Sequence, residues 1–211
     1  PADEWGYDFI DRLLDSGVPT QDVLAEYSRH HGPAVTWVLR MWLEHEERSI
    51  FGVLDGMEQL VDDLQSAGVG VWGLTNFTTE AVDIAHSRFD VFSRLQDTLV
   101  SSQERLLKPD PVIYLRAIDR FGVDPQSTVF FDDNPRNARG ARIAGLRGVT
   151  FISADQARAV LGRAAILPDD GAMQAAAGRP VPQERRLALV GDANARDAPR
   201  IIARCGQRRA E

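Results

Sequence analysis

The sequence predicts an α/β protein with a three-layer α/β/α, Rossmann-like core built on a parallel sheet, preceded by a small helical subdomain. Three observations carry this. Residues 1–48 show apolar residues at helical spacing and no β-rich run. Residues 49–153 alternate short β-rich runs with amphipathic segments. Turn and capping residues punctuate that second stretch at each change of period. Strands alternating with helices of this length imply βαβ units, whose crossovers leave a parallel sheet covered on both faces.

The elements follow in order. Trp5, Phe9 and Leu13 recur at i, i+4 with Ile10 and Leu14 beside them, a first helix. Thr20 is placed to cap a second carrying Val23, Leu24 and Tyr27, which Gly32-Pro33 breaks. Val35, Val38, Met41, Trp42 and His45 mark a third amphipathic helix. Asp55 and Glu58 have capping-box spacing ahead of Met57, Leu60, Val61 and Leu64. Val69–Leu74 reads as a buried strand, with a helix after Thr78, and 98–100 as a second, weaker strand. Asp110-Pro111 opens a helix that Gly122 closes. A third strand over 128–131, a helix over 135–144 and a fourth strand over 149–152 complete the alternation. After Ser153 the signal weakens. Residues 154–211 read as a linker, rich in Pro, Gly, Ala and Asp over 167–183, and a C-terminal strand and helix beginning at Leu187.

Composition narrows the function. A chain of 211 residues with 44% hydrophobic and 26% charged residues is long enough to bury a sizeable core. The net charge of -7 argues against nucleic acid as a partner. No apolar run reaches the length of a membrane span and no leader opens the sequence, so a cytoplasmic protein is expected. One cysteine, Cys205, excludes an internal disulfide and a multi-thiolate metal site, and no partner histidine marks it as a nucleophile. Basic residues number 24, yet Lys108 is the sole lysine. Either one lysine has survived by chance in an arginine-rich sequence, or this position needs a compact point charge rather than a planar fork.

Ligands of an open parallel sheet bind beyond the carboxyl ends of its strands. Thr75-Asn76 follows the first strand, Ser101-Ser102 and then Lys108 the second, Asp132-Asp133 the third. Each has a plainer role available: a turn or cap for Thr75-Asn76, a solvated loop for Lys108, a helix cap for the aspartates. Together they suit a phosphate with a divalent cation, because adjacent carboxylates repel unless positive charge compensates.

The runs Leu74-Thr75-Asn76-Phe77, Lys108-Pro109-Asp110-Pro111-Val112-Ile113-Tyr114 and Val129-Phe130-Phe131-Asp132-Asp133-Asn134-Pro135-Arg136-Asn137 resemble motifs II, III and IV of the haloacid dehalogenase superfamily, in order and spacing. The resemblance spans about Ile50 to Ile152, and residues 1–48 resemble the helical cap that one subfamily inserts after its first motif. It implies hydrolysis of a small phosphorylated metabolite through an aspartyl-phosphate, with Mg2+ as cofactor. Thr75 and the Asn76 backbone would hold the phosphoryl group, Lys108 would offset charge on nucleophile and phosphate, and Asp133, supported by Asp132, would bind the metal. The alternatives are dehalogenation of a small haloacid, to which paired acids in motif IV are less suited, and an inactive binding or regulatory module. A receiver domain is excluded by motif order, since its acidic pair comes first.

The family's first motif, a strand ending in Asp-x-Asp, has no counterpart ahead of the cap-like helices. Asp3 and Asp11 sit in helical sequence. Three explanations stand: a fragment or misplaced start, a non-catalytic relative, or a permuted chain whose C-terminal strand ends at Asp192. In the last, the residue two further on is Asn194, which cannot serve as general acid or base. A missing central strand would leave unpaired edges unless another segment fills the gap or the chain forms a homodimer. Trp5, Tyr7, Trp37 and Trp42 are expected to pack the cap, and His30-His31 to be a solvated helix end.

Overall fold

The computed structural model describes residues 6–167 and 188–191. Two helices open it, α1 (Tyr7–Asp15) and α2 (Thr20–Leu43). The core follows as α3 (Met57–Ser66), β1 (Val71–Thr75), α4 (Thr79–Arg88), β2 (Thr98–Val100), the short α5 (Ser101–Glu104), α6 (Pro111–Phe121), β3 (Val129–Asp132), α7 (Pro135–Ile143), β4 (Arg147–Thr150), α8 (Ala154–Arg163) and β5 (Ala188–Gly191). The five strands form one sheet of order β2-β1-β5-β3-β4, and every described pair is parallel.

Strand side chains alternate between faces, and the two core clusters follow that alternation. Val71, Val129 and Phe131 face α3 and α8, with Leu60, Leu64, Ala157 and Leu161. Trp72, Leu74 and Phe130 face the other way, with Ile113, Tyr114 and Ala117 of α6 and Ala141 of α7. The three-layer architecture is as the sequence predicts.

Several local expectations hold for stated reasons. Thr78 caps α4 by accepting from the Ala81 amide, and Asp110 caps α6 by accepting from Val112 at 2.9 Å. Gly122 ends α6 in the left-handed region. Other expectations fail. Thr20 is the first residue of α2 rather than its cap, and Pro19 precedes it. Asp55 and Glu58 form no capping box, because Gly56, left-handed, starts α3 without a side-chain cap. The fourth strand lies two residues early, at 147–150, because its register is set by β3: Val129 pairs with Arg147 and Asp132 with Thr150.

Residues 154–167 are more ordered than the weak sequence signal after Ser153 suggests. Ser153 caps α8, whose Ala154, Ala157 and Leu161 pack in the core with Ile166 and Leu167. β5 then enters the middle of the sheet, pairing Leu74 with Gly191 on one side and Phe131 with Val190 on the other. The gap expected in the sheet is filled by a segment from the far end of the same chain.

The helical subdomain that the sequence resemblance reads as a cap is built on a kink. Gly32 takes φ 79 and divides α2 into two limbs. The second limb turns Thr36, Leu39 and Leu43 inward, so Leu39 and Leu43 join Ile10, Leu14 and Val23. The stripe that sequence spacing favoured, Val35, Val38 and Met41, faces out, and Trp37 is 61% exposed rather than packed. Periodicity finds an apolar stripe; the roll of the limb after the kink decides which stripe is buried. Gly17 lets the cap approach the core, since a Cβ there would collide with the Ser102 carbonyl. Ser101 ties the two together, donating to Asp15 O at 2.7 Å while accepting from the Phe77 amide at 2.9 Å. Among the described residues no helix is long and apolar enough to cross a membrane.

Candidate active site

The predicted residues meet at the carboxyl edge of the sheet. Thr75 is the last residue of β1 and is buried. Asn76 follows, and its side chain grips the main chain of Lys108 twice: Nδ2 donates to Lys108 O at 3.0 Å and Oδ1 accepts from Lys108 N at 2.8 Å. The loop carrying Lys108 is thereby fixed to the end of β1. A sequence reading gave Asn76 only a backbone role; its side chain holds the lysine in place.

Lys108 itself is buried. Its Nζ donates to Leu74 O on β1 at 3.0 Å and to Asp132 Oδ2 on β3 at 2.8 Å. Since β5 lies between β1 and β3, the ammonium bridges the strands on either side of the central one. The side chains of Lys108 and Asp132 are each 1% exposed. Removing either partner of such a pair leaves a buried charge unpaired, at about 3–5 kcal/mol. Lys108 also lies 5.7 Å from the centroid of the Phe130 ring. A guanidinium is planar and longer, so the sole lysine stands where a compact ammonium suits the space.

The two aspartates separate. Asp132 ends β3 and has both oxygens engaged: Oδ2 with Lys108, Oδ1 with Asn137 Nδ2 at 3.0 Å and with the Asn134 amide at 2.9 Å. Asp133 is the next residue and, by strand alternation, leaves from the other side; it is partly exposed and lines a pocket with Thr75. Neither aspartate caps the following helix. Asn134 does, accepting from the Arg136 amide at 3.0 Å.

Behind Asp132 stands a shell that sequence reading did not single out. Asn137, buried in the first turn of α7, donates to Asp132, and its own carbonyl accepts from Tyr114 Oη at 2.8 Å. Burial, and then the charge of Asp132, hold the Tyr114 phenol well above its usual range, so it remains a donor. Tyr114 meets the Phe130 ring edge-on at 5.3 Å. Gly140 permits this packing, since a Cβ there would lie 2.9 Å from Tyr114 Cε2. The available signals were the spacing of Asn137 five residues after Asp132 and of Tyr114 six after Lys108.

The remaining candidates lie elsewhere. Ser101 joins cap and core, and Ser102 stands 3.4 Å from the Thr79 hydroxyl. His30 contacts Glu26, and the His31 ring lies 4.4 Å from that of Tyr27 at a tilt of 39°, both in α2. Asp11 is in α1. Asp3, Trp5, Asp192, Asn194 and Cys205 lie outside the described residues. Among the described residues no group of three or more His, Cys, Asp or Glu side chains converges on a metal position. Asp133, partly exposed at the carboxyl edge, is a carboxylate that could hold a cation keeping most of its own water.

Comparison with known proteins places the chain in a family. The family model described as haloacid dehalogenase-like hydrolase matches residues 6–145, cap and core together. Flavin mononucleotide hydrolase 1 of Arabidopsis thaliana is 32% identical over 108 residues, covering 51% of this chain and 44% of that protein. Phosphoserine phosphatase of Thermus thermophilus is 42% identical over 52 residues, covering 24% and 21%. Protein CbbY of Rhodobacter capsulatus is 31% identical over 101 residues, covering 46% and 44%. The matches thus span less than half the length of each of these relatives. A solved dehalogenase superimposes with TM-score 0.53 at 22% identity, over 67% of this chain and 70% of its own. A family enzyme from Bacteroides thetaiotaomicron, solved as a magnesium complex, gives TM-score 0.52 at 20% identity, over 74% and 81%. At such identities the structural likeness establishes the shared fold.

Proposed function

We propose that this chain, which belongs to the haloacid dehalogenase-like hydrolases, forms the phosphate-binding frame of a magnesium-dependent phosphatase acting on a small phosphate monoester through an aspartyl-phosphate. The observation that carries the reading is the buried Lys108 ammonium, fixed between Leu74 O and Asp132 at the carboxyl edge, with Thr75 beside it and Asp133 on the open side.

Phosphoryl transfer needs little covalent chemistry from the protein and much positioning and charge stabilisation. Thr75 and the Asn76 main chain would hold phosphoryl oxygens. Lys108, positioned by Asn76 and Asp132, would offset their negative charge. Asp132 is committed to Lys108, Asn137 and Asn134, so the carboxylate offered to a cation is Asp133. A bound magnesium would neutralise phosphoryl charge there. The attacking aspartate is not among these residues; Asp192, which follows β5 in sequence, is the candidate this chain supplies. One relative by sequence is named a phosphoserine phosphatase and another a flavin mononucleotide hydrolase, which favours this chemistry over dehalogenation. Dehalogenation would leave Asp133 without a role.

The test is hydrolysis of an aryl phosphate by this chain with and without magnesium, beside Asp133→Asn. Magnesium-dependent turnover that the variant loses supports the proposal. Metal-independent release of halide from a haloacid would replace it with the dehalogenase reading, and saturable phosphate-ester binding without turnover would replace it with a binding module.

A further inference from the structure

The sheet face toward α3 and α4 carries a cavity of about 200 Å3 that extends from the site above. Its mouth includes Thr75 and Asp133, so it is continuous with the place where a phosphate would sit. Its wall is apolar: Phe77, Val82, Ala85, Phe89 and Phe92 on one side, Met57 on the other. Gly73 and Thr98 also line it, packed so closely that a Cβ on Gly73 would lie 2.8 Å from Thr98 Oγ1. That hydroxyl is buried and has no hydrogen-bond partner among the described residues.

Resting on the phosphatase reading, we propose that this cavity receives the leaving group, and that the substrate is the phosphate monoester of an aromatic or branched apolar alcohol of about one ring. The size fits, since pockets for drug-sized ligands run to roughly 300–1,000 Å3 and this one is smaller. The chemistry fits as well. A polyhydroxylated leaving group would lose more water contacts than Thr98 and His86, the polar side chains on this lining away from Thr75 and Asp133, could replace, whereas a ring gains from every Å2 of apolar surface removed from water. Anchoring the phosphate at Thr75 and Lys108 would direct the organic group into the cavity mouth.

The test compares kcat/KM for phenyl phosphate and glycerol phosphate in the parent chain and in Ala85→Leu, which fills the cavity away from the phosphate-binding residues. The parent is expected to favour the phenyl ester. The variant is expected to raise KM for phenyl phosphate about tenfold, a difference of about 1.4 kcal/mol, and to leave glycerol phosphate within twofold. Thermal melting checks the fold, and Val82→Ile on the same wall carries the same comparison if Ala85→Leu melts early. Equal preference in the parent, or equal losses on both esters in a folded variant, overturns the proposal. If neither ester is hydrolysed, titration with phenylphosphonate, read by calorimetry, separates the two readings. Saturable binding weakened by Ala85→Leu keeps the cavity and discards the phosphatase. Absence of binding, as when another part of the chain fills the space, overturns the cavity assignment itself.

Discussion

The two faces of the sheet are built to opposite specifications. Toward α6 and α7, Lys108, Asp132, Asn137 and Tyr114 form a closed chain of hydrogen bonds, and Phe130 packs beneath it. Toward α3 and α4, Thr75 and Asp133 border a hollow lined with aromatic and aliphatic side chains. Two adjacent carboxylates, Asp132 and Asp133, fall on opposite sides of this division because strand side chains alternate. One face fixes charges before any ligand arrives; the other leaves room for one. Preorganised charge and a fitted space are distinct requirements of a binding site, and here they are assigned to different faces.

The largest expected effect breaks the closed face. Lys108→Met leaves Asp132 buried without its counter-charge, so chemical denaturation should show a loss of about 3–5 kcal/mol along with loss of turnover. The double variant Lys108→Met, Asp132→Leu removes both charges and is expected to recover much of the stability and none of the activity. Recovery of activity in the double variant would mean that the pair serves folding alone.

Asp133→Asn comes next and separates the faces. It should leave the melting temperature within a few degrees while abolishing the magnesium dependence of hydrolysis, because Asp133 is partly exposed whereas Asp132 is buried against Lys108. A drop in stability comparable to that of Lys108→Met would show the two aspartates acting as one unit. Asn137→Ala is smaller, about 1–3 kcal/mol, since it leaves Asp132 Oδ1 with only the Asn134 amide. Its mark beyond stability would be a lower kcat with KM little changed, as Lys108 loses its fixed partner.

The smallest effect lies away from both faces. Asp97 accepts from Arg120 Nε at 2.7 Å at the protein surface. Burial raises its pKa, but the Arg120 hydrogen bond, the Thr98 amide and the Arg120 charge together bring it below the usual carboxylate range. A depressed folded-state pKa contributes stability that is present above the unfolded value and lost as pH falls through the folded one. Both groups are more than one third exposed, so solvent screening limits this to about 0.2–1 kcal/mol. Denaturation curves for Arg120→Ala and the parent should differ at neutral pH and converge in strong acid.

Much of the core was legible because its signals are local. Proline after Asp110, glycine at 122 and the apolar run ending at Leu74 act through their own φ/ψ preferences and capping groups. The position of Lys108 was legible for a different reason: a single lysine among arginines marks a place where the two cations are not interchangeable. Asn137 was not, because an asparagine near a helix start is ordinarily a solvated cap, and only the fold brings its amide to Asp132. Nor was α8, whose weak apolar pattern becomes a buried face only against α3.

The order of elements, their type and the cluster of polar residues at strand ends were determined by the sequence itself, since period, capping and turn chemistry operate over a few residues. Tertiary structure decided which cap stripe is buried, since one left-handed glycine rolls the limb that follows it. It decided that Asp132 and Asp133 part company, which depends on the face each presents. It also decided that residues 188–191, last among the described strands, stand at the sheet's centre between β1 and β3. Pairing of Ala188 with both Val71 and Val129, each far away in sequence, is a matter of which edges are open, and no local signal encodes it.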